Sequence, residues 1–435
     1  MNRPAPPLGK TWYDWLVVVL VLGYCVYTRT FAHIGVAPLY VGEVALALFL
    51  FARPHPALRP LFTAQLKPTP ISAYSWWFVL FAGYGVIELL RGVAEGHDRV
   101  VALQSAVVHI YPLFFFVGNW VACQNRKLLS KLVWWLAWAN GVYGTFYVAL
   151  IYPGEDTMVG AGVGFFGQPR GATIAILGLL CFQRRWSKIR IPLLLNAFVL
   201  VGMQGRSEWL SLAAGLLVWG ILAGRFGVLV KVGAVATTCL LCFLVVDVPL
   251  PMRNDEGETM TTHNIVGFAI AVVDVHAAKE LTPHAVSDAS TVSWRTSWWA
   301  SLWGMVHETP NRALFGPAYG YPIWEHHEEA LDNFKLRTPH NSFVFALSYT
   351  GWVGVVLLFG LLASLGWVLW RVFKLTGQPF GICFLIMMLV RSMADPFFET
   401  PYLGIPFWLI TGLAAAPLMA KYLPKYTERD LKLQH

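Results

Sequence analysis

Three arginines and one histidine are the residues whose types and spacing could do chemistry. Arg206 sits in the short turn Gly205-Arg206-Ser207, Arg170 in Gln168-Pro169-Arg170-Gly171, and Arg295 beside Trp294. A guanidinium presents a planar fork of N–H donors that matches phosphate oxygens in pairs, so several brought together would suit a phosphate or diphosphate. The alternative for each is snorkelling, or pairing with a nearby carboxylate. His340 lies in Thr338-Pro339-His340-Asn341-Ser342. Thr338 is expected as a helix N-cap and Pro339 as the first helical residue, which places His340 in a first turn. The positive end of a helix dipole disfavours imidazolium. An imidazole kept neutral can take a proton from a hydroxyl. The alternative is a histidine that caps or hydrogen-bonds locally.

Other ionisable residues carry weaker signals. Glu43, Glu88 and His109 fall within apolar runs, where they could form a proton path or fix helix packing. Arg391 and Asp395 are four residues apart and are expected to bond each other; Glu399 nearby has no assigned role. His326 and His327 stand among Glu325, Glu328 and Glu329, which reads as a solvated charged surface and not as a metal site. The six cysteines lie in or beside apolar runs, so neither a disulfide framework nor a zinc site is legible, and Cys239 and Cys242 read as core. No glycine-rich phosphate loop or paired-Asp metal motif occurs, and neither metal nor cofactor is expected.

The elements that must position these residues are set by composition. Of 435 residues, 57% are hydrophobic and 13% charged, about half the charge of an ordinary soluble domain. That excludes disordered, collagenous and disulfide-scaffold classes and describes an all-α polytopic membrane protein. Apolar runs mark twelve spans near 14–30, 36–52, 73–90, 101–122, 129–151, 171–183, 191–204, 208–224, 227–249, 341–370, 379–394 and 403–420. With the N-terminus inside, 20 of the 32 Lys and Arg fall on cytoplasmic segments, against six in the short outer loops. Both termini are therefore expected in the cytoplasm. The net charge of +8 follows from that bias and requires no nucleic-acid partner. The first apolar run, Trp15 to Tyr27, lacks a small-residue cleavage site and is expected to be a retained helix.

Three regions follow: helices one to nine in 1–250, a large outer loop in 251–339, and helices ten to twelve with a cytoplasmic tail in 340–435. The outer loop is too aromatic for disorder. Within it, Ser293 to His307 reads as an amphipathic helix with Trp294, Trp298, Leu302 and Met305 on one stripe. Asn264 to Val275 is a second apolar run too short to span. Pro310 and Gly316 to Gly320 would turn the chain back towards helix ten.

The chain resembles the bacterial O-antigen ligase family. The matching pieces are Gly205-Arg206-Ser207, Arg295 followed by Trp298 and Trp299, Leu314-Phe315-Gly316 through Tyr319-Gly320, and His340-Asn341 with Gly351 beyond. The stretch Gly167-Gln168-Pro169-Arg170 departs from an Asn-rich version common in that family. The resemblance implies twelve helices with one large periplasmic loop in the inner membrane, and an active site facing the periplasm. It implies metal-independent, inverting transfer of polysaccharide from undecaprenyl diphosphate to lipid A–core. His340 would be the base; Arg206, Arg295 and Arg170 would hold the diphosphate; Asn341, Tyr319 and Gly320 would support them. A polysaccharide polymerase of the same superfamily would use the same residue types. A lipid-linked glycan transporter is the alternative from another class; it predicts charges near the bilayer midplane and paired broken helices.

Overall fold

The computed structural model describes residues 12–36, 39–52, 58, 69–151, 166–183, 185–203, 205–247, 249–253, 259–271, 277, 280, 285–326 and 338–422. Residues 152–165, much of the segment from 272 to 284, and His327, Glu328 and Glu329 lie outside it.

Nearly every apolar run is helical. In chain order the helices are α1 (Trp12–Ala32), α2 (Val41–Ala52), α3 (Pro70–Ala94), α4 (Arg99–Ala106), α5 (Leu113–Gln124), α6 (Leu128–Phe146), α7 (Ala172–Phe182) and α8 (Trp186–Gly202). They continue as α9 (Arg206–Leu222), α10 (Phe226–Val245), α11 (Thr262–Ala271), α12 (Ala285–Val306), α13 (Pro310–Phe315), α14 (Ser342–Thr376), α15 (Phe380–Ser392) and α16 (Pro401–Tyr422). Four are long and apolar enough to cross a membrane: α1, α3, α14 and α16; α4 and α5 make a fifth when taken as one bent span.

Local chemistry explains where helices depart from the apolar runs. The run 101–122 breaks because Pro112 has no N–H to continue the ladder; Ile110, Tyr111 and Pro112 separate the two segments, which bend by 42°. The run expected to begin at 36 instead opens with a hairpin of β1 (Gly35–Val36) and β2 (Leu39–Tyr40), and its helix starts at Val41. A second hairpin pairs β3 (Pro249–Arg253) with β4 (Thr259–Thr261) at the start of the large loop.

The helices pack through close backbone approach and a dry aromatic core. Gly118 on α5 faces the carbonyl of Leu409 on α16, and Gly412 faces that of Phe115, at spacings a side chain would block. Asn119 donates to the Gly412 carbonyl at 3.2 Å across the same seam. Such small-residue seams suit helices without a hydrophobic drive to associate in lipid. The outer surface is apolar instead: Leu80, Ile87 and Leu90 on α3 and Val356 and Phe359 on α14 are exposed. A lipid environment accepts that surface, whereas water would drive it to aggregate. Cys242, expected in the core, is exposed on α10; a small apolar thiol on a lipid-facing helix needs no burial. The stripe on α12 is packed inward, with Trp298, Leu302 and Met305 buried.

Candidate active site

The two ends of the bundle differ. At one end the start of α7, α9, α14 and α16 meets the end of α1 and α15, and the charged residues of the candidate site come from these six helix ends, the segments adjoining them, or α12.

Arg170 enters α7 on a backbone held from three directions. Its own N–H donates to the Cys25 carbonyl at 3.0 Å, which is accessible because α1 is interrupted at Thr28 (φ 39°). The Thr28 hydroxyl donates to the Gln168 carbonyl at 2.9 Å. The Gly171 N–H donates to Asn140 Oδ1 at 3.1 Å, and Asn140 in turn donates to Asn196 at 2.8 Å. The Arg170 guanidinium donates to Gln168 Oε1 at 3.3 Å.

Arg206 is the first residue of α9, with Gly205 at its N-cap. The following two residues clamp that turn to α15. Arg391 is buried and pairs with buried Glu208 at 2.5 Å and with Asp395 at 3.1 Å. The Ser207 hydroxyl donates to the same Asp395 oxygen at 3.0 Å. The Arg391–Asp395 pair is the one expected from their spacing; Glu208 and Ser207 join it from far along the chain. Burial would raise the Asp395 carboxyl, but Arg391, then Arg170 and Ser207, hold it below the usual carboxylate range.

Arg295, on α12, donates from Nη1 to the Ala394 carbonyl at 3.2 Å. Its Nε is buried without a partner among the described residues. Burial lowers its affinity for a proton, Asp395 opposes that, and Arg206 adds to it. Arg206, Arg295 and Asp395 thus share one electrostatic neighbourhood. The next residues on α12 hold the segment before α14: Trp299 Nε1 donates to the Pro339 carbonyl at 2.6 Å, and Trp298 Nε1 to the Ile323 carbonyl at 3.3 Å.

His340 does not lie in the first turn of a helix capped by Thr338. The cap is Asn341, whose Oδ1 accepts from the Phe343 and Val344 N–H groups at 2.9 and 3.2 Å. An asparagine carboxamide reaches two orphan amides there and displaces the cap by three residues. His340 precedes the cap at φ 52°, a left-handed conformation costing a non-glycine residue about 1–3 kcal/mol. Its ring packs edge-on to Trp294 at 6.2 Å. Burial lowers its pKa from 6.5 to about 4, helped by Arg295, opposed by Asp395, and helped further by Arg29 and Arg170. The ring is therefore neutral at physiological pH, for reasons beyond the helix dipole first invoked.

The structure thus draws His340, Arg170, Arg206 and Arg295 together, and adds Arg29, which sequence reasoning counted only as an outer cation. Arg29 lies in the last turn of α1 and stacks on the Tyr402 ring at 5.6 Å. Glu399 was left unassigned by sequence. It accepts from the Ser342 hydroxyl at 2.6 Å, and the Phe397 and Phe398 N–H groups donate to that hydroxyl at 2.9 and 3.1 Å. Its other oxygen is buried and unpartnered, and burial pushes its pKa up to about 7.

Tyr319 and Gly320 face other neighbours. The Tyr319 hydroxyl pairs with His109 Nε2 at 2.7 Å. Its backbone lies against Gly92 of α3, and Gly320 lies against Asp98 and Ala102 of α4. Arg91 holds the adjacent turn by donating to the Phe315 and Gly316 carbonyls at 2.9 and 2.7 Å, while pairing with Glu88 at 2.7 Å. Tyr111 donates to Glu43 at 3.0 Å. Glu43, Glu88 and His109 therefore each have a packing partner. His326 meets the Tyr321 hydroxyl at 2.9 Å.

A helical membrane protein that collects arginines and a neutral histidine at one end of its bundle is the class these features define. Residues 191–359 match the family model for O-antigen ligase, the family its motifs resemble. The match spans Arg206, Arg295, Tyr319, Gly320, His340 and Asn341; Arg29, Arg170, Arg391, Asp395 and Glu399 lie beyond it. Comparison with curated proteins finds none that matches. Family and apolar helices together point to a bacterial membrane protein with O-antigen ligase or polymerase-type function.

Proposed function

We propose that this protein is an inner-membrane glycosyltransferase joining undecaprenyl-diphosphate-linked O-antigen polysaccharide to lipid A–core. The observation that carries the reading is the neutral imidazole of His340 set among guanidiniums from four separate segments. In this scheme the twelve apolar runs cross the membrane, both termini are cytoplasmic, and residues 251–339 form a large periplasmic loop.

His340 takes the proton from an acceptor sugar hydroxyl as that oxygen attacks the anomeric carbon. The carbon–oxygen bond to phosphate breaks as the new glycosidic bond forms on the opposite face, so configuration inverts and the lipid diphosphate leaves. Arg206, Arg295 and Arg170 neutralise the charge growing on the departing diphosphate, in place of a metal ion. Preorganised donors of this kind contribute about 3–4 kcal/mol each. Binding also tunes the base: the diphosphate's charge offsets the guanidiniums and returns the imidazole towards ordinary basicity, which a proton acceptor needs.

The test supplies lipid-linked polysaccharide to the purified protein in nanodiscs, with lipid A–core or with no acceptor. Product on lipid A–core supports a ligase; lengthened lipid-linked chains without it identify a polymerase. Transfer at the wild-type rate by His340→Ala would refute the assigned base, and transport without any glycosidic product would refute an enzyme.

A further inference from the structure

We propose that a cavity at the opposite end of the bundle binds an anionic phospholipid whose headgroup carries a free hydroxyl. The leaflet, cytoplasmic, follows the orientation proposed above; the lipid class does not depend on it.

The cavity has a volume of about 660 Å³ and lies where α5, α14 and α16 end and α6 and α15 begin. It falls within the range of ordinary ligand pockets, about 300–1,000 Å³. Its walls are apolar, Leu369, Val372 and Leu413 among them, and its mouth carries Arg126 and Lys127. Both cations are exposed, neither has an ion-pair partner among the described residues, and no carboxylate lines the cavity. An apolar recess between helix ends, with two unpaired cations at its lip, suits a lipid chain inside and a phosphate at the mouth. A zwitterionic headgroup would bring its own ammonium against the same cations.

Gln378 supplies a second, independent pointer. Its Nε2 donates to the Cys181 carbonyl at 3.3 Å, which fixes the amide. Its Oε1, at the cavity wall, is buried and has no partner among the described residues. A buried acceptor left unpaired costs free energy that a donor would recover. The Ser130 and Thr376 hydroxyls that also line the cavity already donate to the Lys127 and Val372 carbonyls, and with Arg126 and Lys127 engaged by phosphate a headgroup hydroxyl is the donor that fits Gln378. Phosphatidylglycerol, with a phosphate and a glycerol hydroxyl, is the probe that matches both features.

The full-length protein, delipidated in detergent, would be titrated with phosphatidylglycerol, phosphatidylcholine and inorganic phosphate, and lipid retention read by native mass spectrometry. Wild type is expected to retain phosphatidylglycerol at least tenfold better than phosphatidylcholine. Each basic residue near an anionic headgroup contributes about fivefold, so the exposed double variant R126E/K127E should lose that preference while keeping its lipid-free melting temperature. Ala414→Phe, which fills the cavity, should reduce retention of both lipids. Equal retention of the two lipids by wild type, or undiminished phosphatidylglycerol preference in R126E/K127E, overturns the proposal. So does displacement of the lipid by millimolar inorganic phosphate. Because no glycan is transferred in this assay, its failure leaves the proposed reaction untouched, and the reverse holds equally.

Discussion

Filling the site with diphosphate should make His340 more basic, and the shift should be visible in rate profiles. In the free protein, burial and then Arg295 bring the imidazole from 6.5 to about 4, roughly 3 kcal/mol in favour of the neutral ring. The burial part persists when substrate binds. The guanidinium part does not, because an opposite charge within about 4–6 Å moves a pKa by about 1–3 units. The neutral ring is the active form, so activity falls as pH drops through the relevant pKa. The acid limb of kcat/KM reports the free enzyme and that of kcat the complex. The kcat limb is therefore expected about one to two pH units above the kcat/KM limb. Both would be measured on the protein in nanodiscs between about pH 4 and pH 8, with lipid-linked donor and lipid A–core. In Arg295→Met the free-enzyme limb should rise and the gap should narrow. Coincident limbs in wild type, or an unmoved free-enzyme limb in Arg295→Met, would refute the electrostatic reasoning.

Four further outcomes test the surrounding structure. Arg391→Met strands buried Glu208 and leaves Asp395 without its strongest partner, so thermal unfolding in detergent should show a loss of about 3–5 kcal/mol; a loss below about 1 kcal/mol would mean the cluster is not structural. Asp395, held low by Arg391, stabilises the fold above the ordinary carboxylate range, and that contribution should vanish on acidification. Glu399 behaves oppositely: its pKa is raised from 4.5 to about 7, so the native state holds the proton longer and stability falls as pH rises between those values, by roughly 3 kcal/mol in all. Glu399→Gln keeps an acceptor for Ser342 and removes the titration, so its melting temperature should lose that part of the pH dependence; a curve parallel to wild type would count against it. Tyr319→Phe removes the hydroxyl from buried His109 and should cost about 1–3 kcal/mol of stability, with activity per folded molecule retained.

Much of the fold was legible because long apolar runs favour helix: each run expected to span contains one, and four of those helices, or five with the bent pair, are long and apolar enough to cross a membrane. Boundaries were less so. Asn341 outcompetes Thr338 as cap through a contact two and three residues ahead, and the Thr338-Pro339 signature is the commoner of the two patterns. The break at Thr28 has no local signature; it is stabilised by Gln168, 140 residues away. The same distance problem hid the ion cluster. Arg391 and Asp395 could be paired from their spacing, but Glu208 lies 183 residues from Arg391. Arg29 looked like an ordinary helix-end cation, and only its place beside Tyr402 and His340 gives it a part. Arg206 was readable because it sits in a short polar break between apolar runs, Arg295 because it stands beside the aromatic stripe of α12, and His340 because it directly precedes the run that forms α14.

The break in α1 bears on how little of this chain could be excised. The stretch matched by the family carries the imidazole and two of the arginines, yet their scaffolding is stitched in from both flanks: the loosened last turn of α1 and the entry to α7 on one side, the Arg391–Asp395 pair and Glu399 on the other. A fragment trimmed to residues 191–359 would retain the signature and forfeit the anchors that aim it. The reactive groups are local in sequence, but their alignment belongs to the whole bundle.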